Sequence, residues 1–436
     1  MKVYKFGGAS VNNYERIQNV KKILSLYKDD KLVVIISAMG KTTNALEKVA
    51  EAFFKGNKDE ALQLFGVIKN QHLTTAKYLL VTHYNACEEH LNNFFTEVEW
   101  LLHDKPVREY DYYYDQIVPV GELLSTSIVS FYLNESGIAN KWLDVRDIIR
   151  TDDNFRDANV DWNYTAKKVE EFSKQLVVTS EQFTAHSLPL PTHNMLLTQG
   201  FIGSTDENES TTLGREGSDF TAAIFANILN AENVTIWKDV EGVMNADPKQ
   251  FPDAQLIPEL SFAEVIEMAY YGAQVIHPKT IKPLQNKNIP LHVKCFLDPS
   301  LPGTTISKKQ PKTLPPIIII KEKQVLIHLH SLDFSFVEGT PMSELYKILS
   351  ELNIKPNLIQ TAAINIQLCI DDRSEKIEQL AAICSEIFAV QVEKDLSLLT
   401  IRHFNNELLV KMMSDKQIIL KQQTRETVQV VYKSSY

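Results

Sequence analysis

The strongest constraint on the fold is a recurring alternation. Short unbroken apolar runs are separated by stretches whose apolar residues recur at helical spacing. "KVYKF" (residues 2–6) reads as a strand, and from Asn12 to Lys28 the residues Tyr14, Ile17, Val20, Leu24 and Tyr27 mark one face of a helix. Asn12, with Glu15 three positions on, has the form of a capping box. "LVVIIS" (32–37) then follows as a continuous apolar run, the pattern of a strand buried on both faces. A helix joining two such strands requires a parallel pair and a right-handed crossover. The alternation continues through "NKWLDVRDIIRT", "NMLLTQGFIG", "SDFTAAIFANILNA", "NVTIWKDVEGV", "SFAEVIEMAYYGA" and "IPLHVKCF", with a helix-rich stretch from about Asp59 to Asp104. It predicts an α/β, three-layer domain with a mainly parallel sheet over residues 1–306.

"SKKQPKTLPP" (307–316) is polar and proline-rich and reads as a linker. Beyond it the units shorten. "VLIHLHS", "MSELYKILSELNI", "NLIQTA", "INIQLCID", "SEKIEQLAAICSEIF" and "VQVEKD" give β-α-β-β-α-β, the ferredoxin-like order, over about 324–396. A partial second unit, "LSLLTIRHF" to "ETVQVVYK", closes the chain.

A net charge of −10 argues against a general nucleic-acid binder, which needs a basic face. It leaves room for a small anion held in a local basic pocket. Cys87, Cys295, Cys369 and Cys384 are scattered, without CxxC spacing or clustered histidines, so neither a zinc site nor a disulfide scaffold is expected. Four reduced thiols fit a cytoplasmic protein. No signal region and no apolar run of membrane-spanning length is apparent, and no membrane partner is expected.

Several motifs can carry chemistry. "KFGGAS" (5–10) puts Lys5, Gly7 and Gly8 after a strand, either as a tight turn or as an anion cradle. "GKTT" (40–43) mimics the end of a Walker A loop, but the required first glycine falls at Ile35, within a strand, so that reading fails. "LGREGSDFTA" (213–222) runs a glycine-rich loop into a helix that Ser218 or Asp219 is placed to cap. N–H groups at such a terminus suit anions, and Arg215 can grip a carboxylate in two hydrogen bonds. An ordinary cap beside a solvated arginine explains the same residues. "VPVGELLSTSIV" (118–129) places Glu122 in a first helical turn, to complement the dipole or to accept an ammonium. "LDVRDIIRTDD" (143–153) gathers Asp144, Arg146, Arg150, Thr151 and Asp152 at a strand end, as a ligand site or a solvated loop. "IWKDVEGVMNADPK" (236–249) carries turn chemistry or a nucleotide-facing loop, and His277 reads as a packed structural histidine.

In this order the motifs resemble the monofunctional aspartate kinases of the amino acid kinase family, over nearly the whole chain. "KFGGAS" resembles the family's phosphate loop, "ISAMGKTTN" its second loop and "VPVGELLST" its Glu-bearing helix. "LDVRDIIRTDD" resembles the aspartate-pocket segment, "TLGREGSDFTAA" the most diagnostic loop and "WKDVEGVMNADPK" the nucleotide segment. The tail resembles paired ACT domains, the second formed by about 317–322 with 397–436. The resemblance implies transfer of the ATP γ-phosphoryl group to L-aspartate, at the start of lysine, threonine and methionine biosynthesis. Lys5 and Asp219 would be catalytic, and Ser37, Thr43, Glu122 and Arg215 would bind substrate. Lys5, Gly7, Gly8, Ser10, Ser218, Lys238, Asp239 and Lys249 would face ATP. Mg2+ would ride on the ATP phosphates with few protein ligands, so no metal-ligating residue is assigned.

Departures from the family pattern are Ala9 for Thr, Glu216 for Gly, and Met244, Lys249 and Gln274 for Tyr, Arg and Lys. In the regulatory region Asn357 and Gln360 stand for Asp and Thr. The resemblance further implies a homodimer or higher homo-oligomer through the ACT domains, with a lysine or threonine effector. The alternatives are a glutamate or acetylglutamate kinase and a non-catalytic amino-acid sensor.

Overall fold

The computed structural model describes residues 1–174 and 194–434, which form two units. In the first, strands β1 (Lys2–Phe6), β2 (Leu32–Ile36), β3 (Lys141–Leu143), β4 (Met195–Gln199), β7 (Asn233–Lys238), β8 (Glu259–Ser261), β9 (Leu291–Cys295) and β10 (Thr304–Ser307) build an eight-stranded sheet. Its order is β3-β4-β2-β1-β7-β9-β10-β8. A short ribbon, β5 (Ile202–Ser204) with β6 (Ser210–Thr212), stands apart. All pairings within the eight-stranded sheet are parallel except β9–β10. The sheet is therefore mainly parallel, and β2 and β4 are buried at every residue, as their unbroken apolar runs require.

The helices of this unit are α1 (Tyr14–Ser25), α2 (Thr42–Phe54), α3 (Lys58–Leu79), α4 (Tyr84–His103), α5 (Tyr110–Ile117), α6 (Val120–Glu135), α7 (Trp162–Ser173), α8 (Gly217–Ile228), the start of α9 (Phe262–Tyr271) and α10 (Pro278–Lys287). The cap of α1 is Asn13 rather than Asn12, its side chain accepting from the Arg16 N–H at 2.9 Å. Tyr110–Glu135, against the sequence expectation, is long and apolar enough to span a membrane. However, 83% of its apolar window is buried, because α5 and α6 are core helices here.

The second unit holds one six-stranded antiparallel sheet, ordered β12-β13-β11-β14-β16-β15. Its strands are β11 (Ile317–Ser331), β12 (Leu358–Thr361), β13 (Asn365–Asp371), β14 (Phe388–Arg402), β15 (Lys416–Gln423) and β16 (Thr427–Ser434). Its helices are α11 (Thr340–Glu351), α12 (Ser374–Cys384) and α13 (Asn406–Met413). Residues 317–320 pair with 399–402, and the later part of β11 pairs with β13 and the start of β14, so a ferredoxin-like half with α11 and α12 and a partial half with the single helix α13 share two long strands. A register shift at Lys321/Gln324 marks the junction.

The division differs from a simple boundary at residue 306, since Met244–Ile257 and Glu267–Gln274 also group with the second unit. Local hydrogen bonds account for the first excursion. Asn245 accepts the Ile318 N–H at 2.7 Å through its carbonyl and donates its side-chain amide to Pro316 O at 2.9 Å. For the other, Glu267 pairs with Arg402 at 3.2 Å.

Candidate active site

Parallel strands bring their carboxyl ends to one edge of a sheet, and the register fixes what meets there. Lys5 on β1 lies opposite Ile35 and Ile236, so the ends of β1, β2 and β7 are level. Lys5, Ser37 and Lys238 consequently open on one cavity of about 500 Å³, joined by Thr43, Glu122, Arg215, Ser218 and Asp219. Gly8 lets the first loop seat against the second: a Cβ there would meet Ala38 O at 2.7 Å, and the Gly40 N–H donates to Gly8 O at 3.0 Å.

The helix after the diagnostic loop begins at Gly217, preceded by Glu216 in the left-handed region (φ 54°), so neither Ser218 nor Asp219 is the cap. Asp219 sits instead in the first turn, buried, with its Oδ1 2.6 Å from Lys5 Nζ. Burial alone would favour its neutral form, but the charges of Lys5 and Lys238 outweigh that and hold the carboxyl below its usual range. Gly7 lies beside the same ammonium, since a Cβ there would stand 3.4 Å from Lys5 Nζ.

Glu122, in the first turn of α6, is fully buried. Burial pushes its carboxyl up to about 8, against the opposing pull of the Ala38 N–H, 3.3 Å from Oε1, and of the Lys5 charge. Its Oε2 has no hydrogen-bond partner. A buried carboxyl oxygen left unpaired is expensive, so such an atom points to a polar partner supplied from outside the chain. Arg215 is exposed on the cavity rim and makes no ion pair or hydrogen bond among the described residues. One site thus offers an acceptor for an ammonium and a planar fork for a carboxylate.

Some expected residues lie elsewhere. Ser10 is buried and turns its hydroxyl toward Trp237 O at 3.5 Å, a use in the fold. Asp239 is exposed beyond β7 and does not line the cavity. Lys249 is exposed in the Met244–Ile257 excursion of the second unit, its main-chain N–H bonded to Asp247. Asp144 and Arg146 pair with each other at 2.7 Å and line a different cavity. His277 caps α10 by accepting the Lys279 N–H on Nδ1, and its main-chain N–H donates to Glu216 Oε2 at 2.8 Å, a structural role.

The cavity also includes residues that the motifs did not single out: Tyr114, Arg156, Phe201 and Thr212. Arg156, Phe201 and Glu216 all have positive φ, at 71°, 75° and 54°. Left-handed backbone costs a residue with a Cβ roughly 1–2 kcal/mol, and such strain concentrates at functional sites. Gly214 shares that conformation (φ 74°), and a Cβ there would collide with Asp157 Oδ1 at 2.5 Å.

Known proteins match this chain in sequence and fold. The amino acid kinase family profile matches residues 1–295. Lysine-sensitive aspartokinase 3 of Escherichia coli is 31% identical over 413 residues, covering 92% of this chain and 86% of that one. The chain belongs to the aspartokinases of the amino acid kinase family. Aspartokinase 2 (chloroplastic) of Arabidopsis thaliana is 32% identical over 409 residues, or 90% of this chain and 71% of that protein. The crystal structure of E. coli aspartokinase III in complex with aspartate and ADP superposes with a TM-score of 0.78 at 28% identity, covering 99% of this chain and 96% of that one. Aspartokinase architecture therefore extends through both units.

Proposed function

We propose the following division of labour in the aspartate kinase reaction, in which ATP and L-aspartate give ADP and 4-phospho-L-aspartate. The observation that carries it is the meeting of Lys5, Glu122, Arg215 and Asp219 in one cavity. Glu122 takes the substrate α-ammonium on its unpaired Oε2, and Arg215 takes the α-carboxylate in a two-pronged grip. Ser37 and Thr43 hold the β-carboxylate. That group is already an anion, so the attack on the γ-phosphorus needs no general base. Catalysis then rests on positioning and charge neutralisation.

Lys5 meets the charge that develops on the transferring phosphoryl group, and Asp219 fixes the lysine's position. Gly7 and Gly8 offer main-chain N–H groups, with Ser218 and Lys238 on the nucleotide side. Lys238 donates to Val275 O at 2.8 Å, which anchors its ammonium. Among the described residues there is no group of three or more His, Cys, Asp or Glu side chains placed for a metal ion. Asp219, the carboxylate nearest Lys5, is already paired. A magnesium ion bound with the nucleotide would supply further charge neutralisation.

The second unit serves as the regulatory region, taking lysine or threonine, with homodimers or larger homo-oligomers forming through it. Four free, buried cysteines support action in the cytoplasm. A coupled ADP-release assay with L-aspartate, L-glutamate and N-acetylglutamate tests the reading, run also with added lysine and threonine. Turnover on aspartate, reduced by one of the two effectors, is expected. Turnover on another acceptor alone overturns the substrate assignment, no turnover on any acceptor favours a sensor, and a flat response to both effectors removes the regulatory role.

A further inference from the structure

Arg156 is an unusual residue for its place. It holds a left-handed backbone (φ 71°) that glycine would adopt freely, yet it carries the bulkiest cation available. Its main chain is fixed from below. Asp115, buried on α5, accepts the Arg156 N–H on Oδ2 at 2.9 Å, and the same oxygen accepts the Thr212 N–H at 2.8 Å. The Thr212 hydroxyl donates to Asp115 Oδ1, also at 2.8 Å. One buried carboxylate therefore ties Arg156 to the strand that leads, three residues later, to Arg215. The loops also touch, because a Cβ on Gly214 would lie 3.4 Å from Arg156 O. Two guanidinium-bearing segments are thus built at a fixed spacing beside one cavity.

The side chain is held much more loosely than the backbone. It lies over the Tyr114 ring at 4.4 Å, and Tyr114 is itself a wall of the cavity. Its ionic partners are Asp111 at 3.1 Å and Glu47 at 3.7 Å, whose side chains are 56% and 38% exposed. Pairs at such exposure are screened and exchange readily, and a guanidinium has five N–H donors to share. The sheet order decides which end of the substrate it serves. Arg156 follows β3, which β4 and β2 separate from β1 and β7, the strands carrying Lys5 and Lys238.

From this we infer that Arg156 is a second carboxylate-binding residue of the aspartate site, gripping the substrate α-carboxylate opposite Arg215 and setting specificity for a free amino acid. The inference rests on the aspartate kinase reading. Arg156→Gly tests it cleanly, since glycine accepts the left-handed backbone and the fold is retained. Arg156→Lys keeps the charge without the fork. The substrates are L-aspartate and its 1-methyl ester, which keeps the ammonium and the β-carboxylate acceptor but lacks the α-carboxylate.

The expected result for Arg156→Gly is a KM for aspartate raised about tenfold or more, with kcat and the KM for ATP within about threefold. The KM for the ester should not move, so the preference for aspartate over ester shrinks. Arg156→Lys should fall between. An aspartate KM within twofold of the parent overturns the inference. So does an equal loss on acid and ester, or a loss confined to ATP. If the parent enzyme does not phosphorylate aspartate at all, the underlying reading fails with it, a result distinct from an active parent and an indifferent variant.

Discussion

Each unit holds a polar cluster, and the two clusters are built in opposite ways. In the first, Glu122 keeps an oxygen without a partner and Arg215 projects from the rim unpaired. In the second, the polar cluster at the junction of the long strands is closed. Asn357 accepts from Lys321 Nζ at 2.7 Å and donates to Gln324 Oε1 at 2.7 Å and Asp371 Oδ1 at 2.8 Å, while Gln324 donates to Asp371 at 3.0 Å. A closed network fixes one packing; an open one invites a ligand. The contrast also explains Asn357, where the family more often has Asp. An aspartate could not donate to Gln324 and would set a second carboxylate against Asp371.

Breaking the Lys5–Asp219 pair should have the largest effect. Lys5→Ala is expected to lower turnover about 10²–10³-fold with substrate KM values little changed, because the contact strengthens in the transition state. It also strands a buried carboxylate, a loss of about 3–5 kcal/mol visible in thermal unfolding. Adding Asp219→Asn should recover stability but not turnover. Full turnover in Lys5→Ala would remove Lys5 from its role.

Glu122→Gln comes next, with aspartate affinity down roughly 10–100-fold by calorimetry. The pH behaviour sharpens this. The native pKa of Glu122, about 8, lies above its ordinary 4.5, so the native state holds a proton that the unfolded chain releases in that window. Stability therefore falls as pH rises from 4.5 to 8, and the glutamine variant should melt higher than the parent at pH 8 but not at pH 4. Binding the ammonium ionises Glu122, so the parent's KM for aspartate should fall between pH 6 and 8. A profile flat over that range would detach Glu122 from the ammonium.

Asn357→Asp should do least, about 1 kcal/mol of stability and no change in effector-free turnover, because the Lys321 ammonium offsets part of the lost bonding. A large loss of basal turnover would contradict the separation of roles drawn above.

Much of this was legible in the chain. Parallel strands announced themselves as unbroken apolar runs, and the cavity gathers Lys5, Ser37, Thr43, Glu122, Arg215, Ser218, Asp219 and Lys238. Local pattern reached its limit where a residue's surroundings come from afar. Nothing near Ser10 tells that its hydroxyl faces Trp237, 227 positions on. Arg156 depends on Asp115, 41 residues earlier, and on a backbone angle that no spacing rule encodes. Glu216 in the left-handed region was visible only as an odd residue where glycine is common. The excursions of Met244–Ile257 and Glu267–Gln274 into the second unit are also long-range, made by Pro316, Ile318 and Arg402.

The shared strands of the second unit carry a consequence for how this chain can be cut. The strand that begins the later half, 317–320, precedes the earlier half in sequence, and its partner, 399–402, follows it. A truncation ending near residue 396 would keep four consecutive isoleucines with no strand to pair them, an exposed apolar edge of the kind that drives strand-to-strand aggregation. A fragment that starts after residue 322 would strip β14 of half its ladder on that side. The two halves are laced like a bootstrap, so the smallest separable regulatory piece is the whole six-stranded sheet.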